Sequence, residues 1–87
     1  MQWARFRRLV DDTVARLKAA GGDREGIEAA IRQYIERGDG CGMSPMILWD
    51  CFAIRSPGIP ERAGYGGVEC DRMVATFDRL SGERFGG

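Results

Sequence analysis

Residues 38–54 read GDGCGMSPMILWDCFAI, a glycine-rich stretch that runs straight into a dense apolar segment. Either the glycines cradle a ligand, or they end one helix and begin the next. The residue types favour punctuation. Gly38 is a natural helix stop, and Asp39, Gly40 and Gly42 let the chain turn through positive φ. Ser44 then offers an N-cap oxygen, and Pro45 sits at the first helical position, where its missing N–H costs nothing. The competing reading is an anion held at the N-terminus of the helix that follows. A G-x-G-x-G string with no preceding strand and no GK[ST] ending is a weak phosphate signal. The spacing therefore predicts a helix over residues 45–55. Ile47, Leu48, Cys51, Phe52 and Ile54 cover well over half its circumference, and Met46, Trp49 and Ala53 extend the apolar surface around the rest. Such a helix is either the centre of a core or is shared with another chain.

Upstream, residues 2–20 form a helical pattern with Trp3, Phe6, Val10, Val14 and Leu17 on one stripe. Arg8 with Asp12, and Asp12 with Arg16, are four apart on the opposite face. Each pair contributes a few tenths of a kcal/mol in an isolated helix. Gly21-Gly22 ends this helix, and Asp23 caps a second one over 23–37. Ile27, Ala30, Ile31, Tyr34 and Ile35 make the apolar face of the second helix. The short glycine link predicts an antiparallel hairpin. Downstream, residues 56–67 carry Pro57, Pro60 and four glycines. They predict an irregular crossing pinned to the core by Ile59 and Tyr65. Cys70, Met73, Val74, Phe77 and Leu80 mark a last helix over 67–81, and the tail 82–87 is expected to fray, with Phe85 able to fold back. The expected fold is thus all-α, with a hairpin (2–20 and 23–37) packed on helices 45–55 and 67–81. The 87 residues fit one small domain, with stability on the order of 5 kcal/mol.

Composition narrows the chemistry. Thirteen basic and thirteen acidic side chains balance to zero, and histidine is absent. The commonest general base and the commonest metal ligand are missing together. Cys41, Cys51 and Cys70 lack the spacing of a zinc knuckle, and two of them fall on apolar helix faces. A cysteine or serine nucleophile would have no adjacent imidazole. Asp11 and Asp12, the one adjacent pair of acids, point to different helix faces. No enzymatic activity, metal or cofactor is expected. Arg5, Arg7 and Arg8 interrupt the first turns, so no secretory apolar segment opens the sequence. No run approaches the ~20 apolar residues a membrane span needs. A reducing cytoplasm with free thiols is the expected setting.

Nucleic acid is the rival partner. Arg5, Arg7, Arg8, Arg16 and Lys18 crowd the first helix, as a small helix-turn-helix or accessory protein would require. Asp11 and Asp12 interrupt that surface, however, and neither of the last two helices begins with the basic or amide residues of a groove reader. Protein–protein binding remains, through a homodimer or a foreign partner. Trp49 and Met46 are the expected anchors, with Arg5, Arg8, Arg16 and Asp39 as a polar rim. The mode would be occlusion of a site that the partner needs. By size and class alone the chain is comparable to phage and mobile-element inhibitors, anti-CRISPR proteins among them.

Overall fold

The structure is a computed structural model describing residues 2–86. It is all-α. In chain order come α1 (Trp3–Ala20), α2 (Arg24–Gly40), α3 (Pro45–Trp49) running into a π-helical segment (Asp50–Ile54), α4 (Ile59–Arg62) and α5 (Gly67–Phe85). No strand occurs among the described residues.

Part of the glycine-rich stretch is helix. Gly38 does not stop α2, which continues to Gly40 and ends with Cys41 as the C-cap. The left-handed residue is Gly42, at φ 80°. Its N–H donates to the Asp39 carbonyl at 2.9 Å, and the Met43 N–H donates to the Gly38 carbonyl at 3.1 Å. These two bonds complete a Schellman ending, one turn later than the sequence suggested. The reason lies across the interface. Gly38 is buried against Leu48, and a methyl at that position would overlap the Leu48 Cδ2. Gly38 therefore serves as a close-packing position, and its helix cost of about 1 kcal/mol relative to Ala is offset by the burial of Leu48. Ser44 and Pro45 behave as expected: the Ser44 hydroxyl accepts from the Ile47 N–H at 3.3 Å, and Pro45 begins α3.

The helical hairpin is antiparallel. Gly21 takes the left-handed conformation at the end of α1, and the Asp23 carboxylate accepts from the Gly26 N–H at 3.0 Å. At the open end the Gln2 N–H donates to the Cys41 carbonyl at 3.0 Å, tying the start of α1 to the end of α2. At the closed end Tyr65 does the joining. Its hydroxyl donates to the Leu17 carbonyl at 2.7 Å and accepts from the Gly22 N–H at 3.1 Å. Two backbone groups orphaned at the turn are thereby satisfied by one side chain.

Tyr34 is the hub of the core. Its ring lies 6.1 Å from Phe6 of α1, 5.8 Å from Phe52 of the π segment and 6.1 Å from Phe77 of α5. Phe52 and Phe77 stack at 4.8 Å, a pairing that adds ~1 kcal/mol beyond burial. The Tyr34 hydroxyl donates to the Leu48 carbonyl at 2.8 Å, so its polar end is satisfied where it is buried. The stripe of α1 is shifted from its expected position. Leu9 and Thr13 are buried with Phe6, Val14 and Leu17, whereas Trp3 is half exposed. Helix spacing puts Thr13 one turn from Leu9 on this face, and its hydroxyl donates to the Leu9 carbonyl at 2.7 Å, which offsets the cost of burying it.

Residues 45–55 do not form one regular helix. After Trp49 the backbone widens, and the Arg55 N–H donates to the Asp50 carbonyl five residues back, at 3.0 Å. The crossing that follows contains one helical turn, α4, with Pro60 near its start and the Glu61 carboxylate accepting from the Gly58 N–H at 3.1 Å. Gly58 is required there, since a Cβ would lie 2.5 Å from the Phe52 carbonyl oxygen. Ile59 and Tyr65 do pin the crossing to the core, with Ile59 fully buried. The last helix also runs further than its expected end at residue 81. It is helical through Gly82 to Phe85, and the residues expected to fray are helical as far as Phe85. Arg84 pairs with Asp39 at 2.9 Å, Glu83 lies 3.8 Å from Arg32, and Phe85 packs on the core. These tertiary contacts hold a turn that local propensity would release.

Candidate partner-binding surface

The α3 and π segment presents two opposed lines of side chains. Leu48 and Phe52 point inward and are fully buried. Met46, Asp50 and Ile54 form the other line. Four residues of α-helix advance slightly more than one turn, and four of the wider π-helix slightly less. The two deviations compensate, so residues 46, 50 and 54 stay in register. Met46 is 71% exposed and Ile54 is 59% exposed. Asp50 lies between them and accepts from the Arg55 Nε at 2.9 Å. The result is an outward strip with an apolar side chain at each end and an ion pair in the middle.

The six residues expected at a contact surface fall into different environments. Met46 is the most exposed large apolar residue described. Trp49 is partly buried, its ring 5.6 Å from Phe77, so most of it serves the core. Arg16 is held by Asp12 at 3.0 Å, and Asp39 accepts both the Nε and an NH2 nitrogen of Arg84, at 3.1 and 2.9 Å. Asp12 pairs with Arg16 and not with Arg8, leaving Arg8 without a carboxylate partner among the described residues. Arg5 donates to the Gln2 amide oxygen at 2.6 Å. Arg5 and Arg8 line one recess together, and Arg37 of α2 joins them there.

Sequence reasoning missed two residues of these surfaces. Ile54 counts in the sequence only as one of the side chains covering the helix, because at α-helical spacing it falls about 80° around from Met46. Arg37 lies in the last turn of α2, where the sequence alone suggests only a charge that suits the helix dipole. Its neighbourhood with Arg5 and Arg8 depends on the hairpin, which sequence spacing within α2 cannot report.

Among the described residues every buried side-chain nitrogen and oxygen has a hydrogen-bond partner, and no group of three His, Cys, Asp or Glu side chains is placed to hold a metal. Burial pushes the Cys51 thiol above its ordinary value. Burial, with Glu61 and Asp71 nearby, does the same for Cys70. Both sulfurs are held as thiols, the less nucleophilic form. Burial likewise raises the Tyr34 phenol, which stays a hydrogen-bond donor. No helix among the described residues is long and apolar enough to cross a membrane. No protein-family model, curated protein or solved structure matches the chain.

Proposed function

We propose that this chain is a cytoplasmic, non-catalytic module that binds another protein and acts by covering a site its partner needs. The observation that carries the reading is the outward strip of α3 and the π segment, where Met46 and Ile54 stand mostly in solvent opposite side chains at the centre of the core. A rigidly backed strip suits an interface, because its backbone is held in place before the partner arrives and less entropy is lost on docking. Methionine adapts to the partner's contour, and the Asp50–Arg55 pair offers hydrogen bonds between two apolar contacts. Occlusion needs no reaction centre, and by size and class alone the chain is comparable to small phage and mobile-element inhibitors, anti-CRISPR proteins among them.

The test compares wild type with Met46→Glu/Ile54→Glu. Both positions are exposed, so the variant should fold. Sedimentation velocity at micromolar concentration separates a second copy from a foreign partner. A concentration-dependent dimer that the double substitution abolishes means that two copies share the strip. If wild type is monomeric, the two proteins serve as baits for capture from the native host. A protein retained by wild type and lost by the variant supports the reading. Identical captures from a monomeric bait would overturn it.

Nucleic-acid binding is the alternative, and one observation favours it. Asp11 and Asp12, which interrupt the basic face of α1, are ion-paired with Arg62 at 2.8 Å and Arg16 at 3.0 Å. Duplex DNA of random sequence, titrated by fluorescence anisotropy, tests it. Affinity that falls steeply with added salt would favour this alternative.

A further inference from the structure

At the open end of the hairpin lies a recess of about 560 Å³, between the first half of α1 and the last turns of α2. Its floor is apolar: Leu9 and Cys41 are 8% and 6% exposed. Arg5, Arg8 and Arg37 stand around it. None of the three has a carboxylate partner among the described residues, as is also true of Arg7, Arg24 and Arg72, whereas Arg16, Arg32, Arg55, Arg62, Arg79 and Arg84 are all ion-paired; Arg5 donates only to the neutral Gln2 amide oxygen. Two acids could have neutralised this end of the molecule. Asp12, in the recess wall, is engaged by Arg16, and Asp39, near the end of α2, is engaged by Arg84. The fold thus engages these two acids and leaves three arginines without an ion pair lining one concavity.

We propose that this recess is a docking site for an acidic protein segment, an extended stretch in which carboxylates flank an apolar side chain. Each guanidinium offers a planar fork that matches a carboxylate in two parallel hydrogen bonds. The floor accepts the apolar side chain, and the unpaired positive charges around it attract an incoming carboxylate. Concavity favours a peptide over duplex DNA. A single extended chain can place a side chain on Leu9 and Cys41, whereas the convex backbone of a duplex meets only the rim. This inference rests on the reading of the chain as a protein-binding module and adds the chemistry of the bound segment. Its test uses a synthetic peptide and does not involve Met46 or Ile54, so the two readings fail separately.

A fluorescein-labelled peptide of alternating Glu and Leu is titrated with the full chain at low ionic strength, with fluorescence anisotropy as the readout. Binding should saturate and weaken with salt. Arg5→Ala, Arg8→Ala and Arg37→Ala should each lower affinity about three- to tenfold. Arg24→Ala and Arg72→Ala remove the same charge from residues that line a different recess and should leave affinity unchanged. Replacing Leu by Ser in the peptide should weaken binding, and the backbone amide signals of Leu9, Gly40 and Cys41 should shift when the Leu peptide is added to isotope-labelled protein. Equal losses from Arg37→Ala and Arg24→Ala would overturn the site in favour of a general charge effect. Equal binding of the Ser peptide would overturn the apolar seat. Tighter binding of duplex DNA, lost in the same three variants, would assign the recess to nucleic acid.

Discussion

Gly38→Ala is the sharpest test of how the chain packs. An alanine suits the backbone, because Gly38 is not among the glycines at positive φ. At an exposed helical position the change would stabilise by ~1 kcal/mol. Here the added methyl overlaps the Leu48 Cδ2, with Cγ at 3.4 Å and Cδ1 at 3.5 Å. Leu48 is fully buried, so it can retreat only into the aromatic core. Overpacking of this kind costs ~1–3 kcal/mol. The net change is therefore between neutral and about 2 kcal/mol destabilising. Gly40 provides the control two residues on. It too lies in α2 without positive φ, and nothing stands within 4 Å of its added Cβ. Gly40→Ala should stabilise by the same ~1 kcal/mol. The two variants should differ by about 1–3 kcal/mol in urea unfolding followed by circular dichroism, or by at least about 4 °C in Tm. Shortening the neighbour with Leu48→Val in the Gly38→Ala background should recover part of the loss, a favourable coupling of ~1 kcal/mol in a double-mutant cycle. A Gly38→Ala protein as stable as Gly40→Ala would refute the close approach of α2 and α3.

Tyr65→Phe removes a donor to the Leu17 carbonyl and an acceptor from the Gly22 N–H, so it should lower stability by ~1 kcal/mol and speed hydrogen exchange at the Gly22 amide. The Glu28 carboxyl is held below its ordinary value by the hydrogen bond and charge of Arg79. A depressed carboxyl stabilises the fold above its unfolded pKa, and this contribution is lost as pH falls through the lower folded value. The Glu28 side chain should therefore titrate below 4.5 by NMR, and Glu28→Gln should flatten the acid limb of the stability curve. A midpoint at or above 4.5 would remove the ion pair from the account. Burial raises the Cys51 thiol, so alkylation by iodoacetamide near neutral pH should be slower than that of glutathione and should quicken with rising pH.

The sequence by itself determined the helices that local chemistry can specify. Apolar periodicity placed α1 and α2. Gly21 and Asp23 fixed the turn between them, and Ser44-Pro45 fixed the start of α3, because capping and φ preference act within a few residues of chain. The lack of histidine and of any cysteine knuckle was likewise legible, and with it the expectation of a binding module. Tertiary structure decided the rest. Gly38 stays helical because Leu48 needs its space, and α5 continues past Gly82 because Arg84 and Phe85 find partners on other elements. The π turn brings Met46 and Ile54 into one outward line, a register that α-helical spacing alone does not give. Asp12 had two arginines four residues away and paired with Arg16, leaving Arg8 to line a recess with Arg5 and Arg37. Sequence spacing reports which side chains share a face of one element. Which charge is paired, and which apolar side chain remains in water, depends on what the neighbouring element brings.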